Sequence, residues 1–156
     1  MKKATYIEET IQLAFDNVEN DGGPFGAIIV DKTGNIIGKG TNIVTKSNDP
    51  TAHAEIQAIR EACQEKQTFQ LSDCILYTSC EPCPMCLGAI YWARLEKVYY
   101  AADQNLAAAV GFGDTFIYEE IEKAPSERHI PFREVPVKER NRPFEEWDNK
   151  PDKITY

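Results

Sequence analysis

His53-Ala54-Glu55 and Pro82-Cys83-Pro84-Met85-Cys86 bring one imidazole, one carboxylate and two thiols into two short stretches of chain. An imidazole and two thiolates are good zinc ligands. A structural zinc site usually fills all four positions with protein atoms, whereas a catalytic site uses three and leaves the fourth to water. The sequence offers no obvious fourth ligand, so the pattern points to an ion with an open position. Zinc lowers the pKa of a bound water from about 15.7 towards neutrality. Glu55 is too close in sequence to His53 to be assumed a ligand. It is better suited to take the proton of that water and deliver it to a leaving group, acting as general base and then general acid. A lone C-x-x-C reads equally well as a structural zinc site or a pair of core thiols. Joined to His-x-Glu across a strand, each at a helix start, it favours catalytic zinc over a zinc-stabilised binding module.

These residues need two helix starts to present them. Residues 52–64 are good helix formers, with Pro50 and Thr51 at the entry. Pro82 and Pro84 mark the start of a second helix running to about Arg94, because a first-turn proline lacks only an N–H that would go unpaired anyway. Cys83 and Cys86, three apart, share one face of it. A helix N-terminus carries partial positive charge, which favours thiolate over thiol.

The rest of the chain supplies the frame. Ile7, Ile11, Ala14, Phe15 and Val18 recur at helical spacing over 5–19, and Gly22-Gly23-Pro24 ends that helix. Residues 27–30 and 36–37 read as a hairpin around the turn at 31–35. Residues 45–51 read as a loop. Strands are expected at 74–78 and 98–102, with the Pro84 helix between them as a parallel β-α-β unit. A short helix is expected at 114–122, capped by Asp114 or Thr115. Residues 134–137 are expected as a last edge strand, since Pro136 excludes a central position. The sum is a three-layer α/β/α sandwich: a mixed five-stranded sheet with helices on both faces.

The 156 residues suit a single domain spanning 1–156, large enough for a core without disulfides. No apolar run is long enough to cross a membrane, and the start lacks the pattern of a secretory signal. The expected location is the cytoplasm, which the five cysteines do not contradict. A net charge of −8 argues against a nucleic-acid partner, which would call for a basic stripe. Cys63 and Cys74 read as buried hydrophobes, Cys80 as lying outside the metal set, and His129 as solvated.

The pattern H-x-E with P-C-x-x-C is the known signature of zinc nucleobase deaminases. The chain resembles the cytidine deaminase-like superfamily from Gly22-Gly23-Pro24-Phe25-Gly26-Ala27, through Asn42, Thr51-Ala52-His53-Ala54-Glu55 and residues 76–86, to Tyr99-Tyr100-Ala101. Within it the chain is most similar to small bacterial guanine deaminases, through residues 47–53, 88–94, 113–118 and the ending Pro143-Phe144-Glu145-Glu146-Trp147 to Tyr156. The resemblance implies one zinc per subunit on His53, Cys83 and Cys86, with Glu55 shuttling protons. It implies base contacts from Asn42, Phe25, Ala54, Trp92 and Tyr156. It gives Asp114 a catalytic part that competes with a plain capping role. The implied activity is hydrolytic deamination of guanine to xanthine and ammonia. The alternative is a tRNA adenosine deaminase, or a deaminase of another base or nucleoside such as cytosine. The implied partners are a small purine base and a second subunit. The C-terminal segment, about 125–156, would then close over a site in its own subunit or, exchanged within a homodimer, in the partner's.

Overall fold

A computed structural model of the chain describes Lys2–Tyr156 and divides into two compact units, one ending at Asp114 and one spanning Thr115–Tyr156. The first unit opens with helix α1 (Lys2–Glu19), followed by strands β1 (Gly26–Val30) and β2 (Ile36–Thr41). A short helix α2 (Val44–Ser47) then leads to α3 (Ala54–Lys66). The order continues with β3 (Ile75–Cys80), α4 (Pro84–Trp92), β4 (Lys97–Ala102) and α5 (Gln104–Ala109). The sheet runs β2-β1-β3-β4, with β1 antiparallel to both neighbours and β3 parallel to β4.

Strand alternation assigns the two faces. Ala27, Ile29 and Leu76 pack with Ala54, Ala58 and Ala62 of α3 and Ile90 of α4. Ile28, Val30 and Tyr77 pack on the other side with Tyr6, Ile7 and Leu13 of α1. This gives the expected mixed sheet with helices on both faces. The register of β1 on β3 pairs Ala27 with Thr78, and alternation then turns Thr78 and Cys80 to the α3 side with Leu76.

Helix α3 lies unusually close to β2. A Cβ on Gly40 would stand 2.0 Å from the Ala54 carbonyl oxygen, and one on Gly38 would stand 2.4 Å from that of Ala58. Only hydrogen fits at either position. The glycines and the facing alanines together set how deep α3 sits, and hence where His53 and Glu55 fall.

The second unit contains α6 (Thr115–Glu122), a 3-10 turn (Pro125–Glu127) and α7 (Arg142–Asn149), with no strand among its described residues. The expected fifth strand at 134–137 is therefore absent, and the sheet has four strands. Pro136 removes a ladder donor in the middle of so short a segment, and Val135 and Val137 are 72% and 56% exposed. Glu120 organises the start of this unit: its carboxylate accepts from Lys123 and from the His129 backbone N–H (2.6 Å).

Three helices, α2, α5 and α7, are not expected from the sequence. α5 is capped by Asp103, whose carboxylate accepts from Asn105 N and Leu106 N at 3.0 Å each. α7 begins with Pro143 in its first turn. Residues 45–51, expected as loop, hold the single turn of α2.

Candidate metal centre and active site

The two metal-binding stretches sit at the N-cap positions of their helices. His53 is the N-cap of α3 and Cys83 the N-cap of α4, both in extended backbone, and neither side chain caps its helix. Ser, Thr, Asp or Asn usually fills that position and bonds the orphan N–H groups. Here the capping interaction is given up, and both side chains turn to a shared point. A turn sets the approach: the Asp49 carboxylate accepts from the Thr51 N–H (2.8 Å) and hydroxyl (2.7 Å), and these bonds hold the Asp49 carboxyl below its usual range. Ala52 N then bonds Asp49 O at 3.1 Å, which delivers the chain to His53. On the other side, α4 begins just past the carboxyl end of β3. In parallel α/β units this is the side where ligands gather.

One ligand atom each from His53, Cys83 and Cys86 lies within 4.8 Å of the others. The His53 Nδ1 separations are 3.4 Å to Cys83 Sγ and 3.5 Å to Cys86 Sγ. A tetrahedral zinc with Zn–S of about 2.3 Å and Zn–N of about 2.0–2.1 Å holds sulfur and nitrogen ligands about 3.5 Å apart. The separations match those edges, so the donor set and its spacing fit zinc. The pKa of Cys83 falls to about 4, chiefly because Cys86 donates to it, with His53 adding to the effect. Cys86 is pushed up by giving that bond and by burial. His53 is raised, first by its contact with Cys83. Both sulfurs bind metal as thiolates, and Cys83 is the one the fold favours to ionise first.

Glu55 is the second residue of α3 and is 6% exposed. Its Oε2 lies 3.4 Å from Cys86 Sγ, and its Oε1 lies 3.5 Å from the Thr78 hydroxyl. Burial is the main influence on it and raises its pKa. A carboxyl beside a metal cluster with a raised pKa can both accept and return a proton.

The other expected residues are spread more widely. Asn42 is buried just past β2, its Oδ1 accepting from Val44 N at 3.2 Å. Ala54 is fully buried, between His53 and Glu55. Asp114 closes the first unit. Its carboxyl is raised by burial and then by the negative charges of Cys83 and Glu81. Phe25 meets Phe112 edge-on (centroids 5.0 Å, 88°) and lines an apolar groove of about 430 Å³ with Ile11, Phe15 and Leu106. Trp92 ends α4, about 13 Å along the axis from Cys83 at about 1.5 Å per residue, and is 67% exposed. Tyr156 lies in the second unit and is also 67% exposed.

Cys80 is buried at the end of β3, with its thiol 3.8 Å from Asp103 O, and Cys74 is buried too. Cys63 is only half-buried. None of these, nor His129, joins a metal cluster among the described residues. The sequence reading missed Thr78, which passes for an ordinary strand residue. The available signal was a hydroxyl two places before Cys80, on the face that alternation turns towards Glu55.

Such a centre, at the start of two helices flanking a parallel strand, is that of a zinc deaminase. The chain belongs to the cytidine and deoxycytidylate deaminase family: the model of its zinc-binding region matches residues 1–102. It is 55% identical to the guanine deaminase of Bacillus subtilis over 157 aligned residues, covering 100% of both chains. The X-ray structure of guanine deaminase from Bacillus subtilis superposes with a TM-score of 0.96 over 98% of each chain, at 55% identity. The tRNA-specific adenosine deaminase of Aquifex aeolicus is 44% identical over 102 residues, 65% of this chain and 67% of that protein.

Proposed function

We propose that the protein deaminates guanine hydrolytically to xanthine and ammonia. The observation carrying this reading is the His53–Cys83–Cys86 cluster with Glu55 turned towards it, in a chain similar over its whole length to a guanine deaminase. Bound zinc would supply an acidified water at the cluster. Glu55 takes a proton on Oε2, the oxygen that faces the cluster. It passes that proton to the ring, then takes the second proton from the oxygen added to the carbon and delivers it to the departing amine. Burial supports this by raising its carboxyl above the ordinary carboxylate range, which eases its taking up a proton. Asp114, with its pKa also raised, is suited to accept the N–H groups beside the attacked carbon. Asn42 and the backbone at Ala54 flank the base. Phe25 and Trp92 are offered as aromatic contacts.

We further propose a homodimer in which the C-terminal segment, ending at Tyr156, covers the partner's site. The exposed Ile130, Phe132, Phe144 and Ile154 of the second unit support this, since surfaces of this kind mark interfaces. A cytoplasmic location is supported by five free cysteines. No described helix is long and apolar enough to cross a membrane.

Two experiments test these readings. The zinc-loaded protein, offered guanine, adenine, cytosine, their nucleosides and tRNA, is expected to release ammonia fastest from guanine. A preference for adenosine in tRNA would replace this reading with the alternative one. For the exchanged dimer, a Glu55→Gln chain and a chain lacking residues 150–156 are each expected to be inactive. Refolded together they should recover activity, because intact Glu55 of one meets the intact tail of the other. A mixture as inactive as its parts would place the tail on its own subunit.

A further inference from the structure

Thr78 is 1% exposed, on an inner strand of the sheet beside Ala27 of β1 and Tyr100 of β4. A buried hydroxyl needs a partner, and the single proton of Thr78 has two acceptors, Gly26 O and Glu55 Oε1, each 3.5 Å away. Rotation about Cβ–Oγ1 moves the proton between them. The charged acceptor draws it more strongly, because bonds to an ionised group are roughly twice as strong as neutral ones.

The geometry also separates the two oxygens of the carboxyl. Oε2 lies on the Cys86 side and Oε1 on the Thr78 side. Glu55 has three rotatable bonds, and the bond from its own backbone N–H does not fix which oxygen faces the cluster. Thr78 comes from a different element, β3, whose position is set by pairing with β1 through Ala27 and with β4 through Tyr100. It is a rigid anchor for a carboxyl carried on a helix start.

We infer that Thr78 is a positioning residue for Glu55, its hydroxyl holding Oε1 so that Oε2 stays turned to the cluster. This rests on the proton-shuttling reading of Glu55 above. Residues that orient a reacting group from behind are typically worth roughly 10–100-fold in activity.

The test compares Thr78→Val, Thr78→Ala and Thr78→Ser with the zinc-loaded wild type on guanine, with kcat expressed per bound zinc. Val keeps the volume and loses the hydroxyl, whereas Ser keeps the hydroxyl and loses the methyl. The expected result is kcat lowered about tenfold in both Val and Ala and KM unchanged. Ser should stay within about twofold, and zinc content should be equal throughout. In the metal-free protein, the Glu55 carboxyl band, identified by difference infrared against Glu55→Gln, should shift in Val but not in Ser. Activity that follows volume, with Val active and Ser impaired, would overturn the inference. So would Val and Ala variants that fail to fold or to hold zinc, since the hydroxyl would then serve the fold. Glu55→Gln, run alongside, separates the two levels. If it stays active, the shuttle reading fails; if it is inactive while Thr78→Val is fully active, only the role of Thr78 fails.

Discussion

Glu55→Gln is expected to reduce kcat by about 10⁴-fold while leaving zinc content unchanged. General acid–base assistance is typically worth 10²–10⁴-fold, and the upper end applies because this one carboxyl would serve both directions of proton transfer. Gln has the same shape and cannot take a proton. Zinc stays because the ligand set is His53, Cys83 and Cys86, and Glu55 lies beside it. The stability effect runs the other way. Burial raises the folded pKa of Glu55, so its charge opposes folding once pH rises above the unfolded value of about 4.3. The metal-free variant should therefore melt higher than the metal-free wild type at neutral pH. The advantage should fade as pH falls towards about 4, where both states carry the proton. Kinetics, metal analysis and thermal melts at several pH values check the three parts. A variant that lost its zinc would make Glu55 a ligand, and one that kept full kcat would remove it from the chemistry.

Cys83→Ser is expected to abolish zinc binding and activity together. Cys83 is the thiol that the fold favours to ionise first, at about 4, and it offers the ion a negative charge. A serine hydroxyl does not ionise there and is a poor partner for zinc, which favours nitrogen and sulfur. Two remaining ligands from different helices cannot hold the ion well. Because metal binding energy is also folding energy at such sites, the zinc-supplemented variant should melt at the temperature of the metal-free wild type. Activity should fall at least about 10³-fold, the loss of a metal-activated water. Normal zinc stoichiometry in purified Cys83→Ser would mean that another donor completes the site.

The two predictions rest on parts of the chain that differ in how openly the sequence displays them. The ligands were readable because proline and helix-start chemistry fixed where Cys83 and Cys86 had to fall. The hairpin around 31–35 was readable because Asp31 and Gly34 need a turn. The β3-α4-β4 unit followed from the helix's length between two apolar runs. What pattern could not show was depth. Gly38 and Gly40 read as weak strand residues, yet they let α3 lie against β2, and no periodicity in the sequence records an approach of 2.0 Å. The same holds for Thr78, whose meaning depends on a β1–β3 register between strands separated in sequence by β2 and α3. The stretch at 134–137 misled because Val135 and Val137 alternate as in a strand, while the second unit holds no strand among its described residues. Helix α5 was missed although its cap, Asp103 ahead of a run of alanines, was in plain view. The residues expected to choose the base are the least settled by pattern. Asn42 is buried just past β2 and Asp114 closes the first unit, whereas Trp92 ends the far side of α4 and Tyr156 belongs to the second unit.

The central claim is that water replaces the exocyclic amine of guanine at this centre. It is tested most directly by turnover of guanine by the zinc-loaded protein in ¹⁸O-labelled water, with the product analysed by mass spectrometry and ammonia measured alongside. Xanthine carrying one labelled oxygen at the carbon that bore the amine is expected, with one ammonia released per labelled product. Guanine recovered unchanged, or xanthine formed without the label, would contradict it.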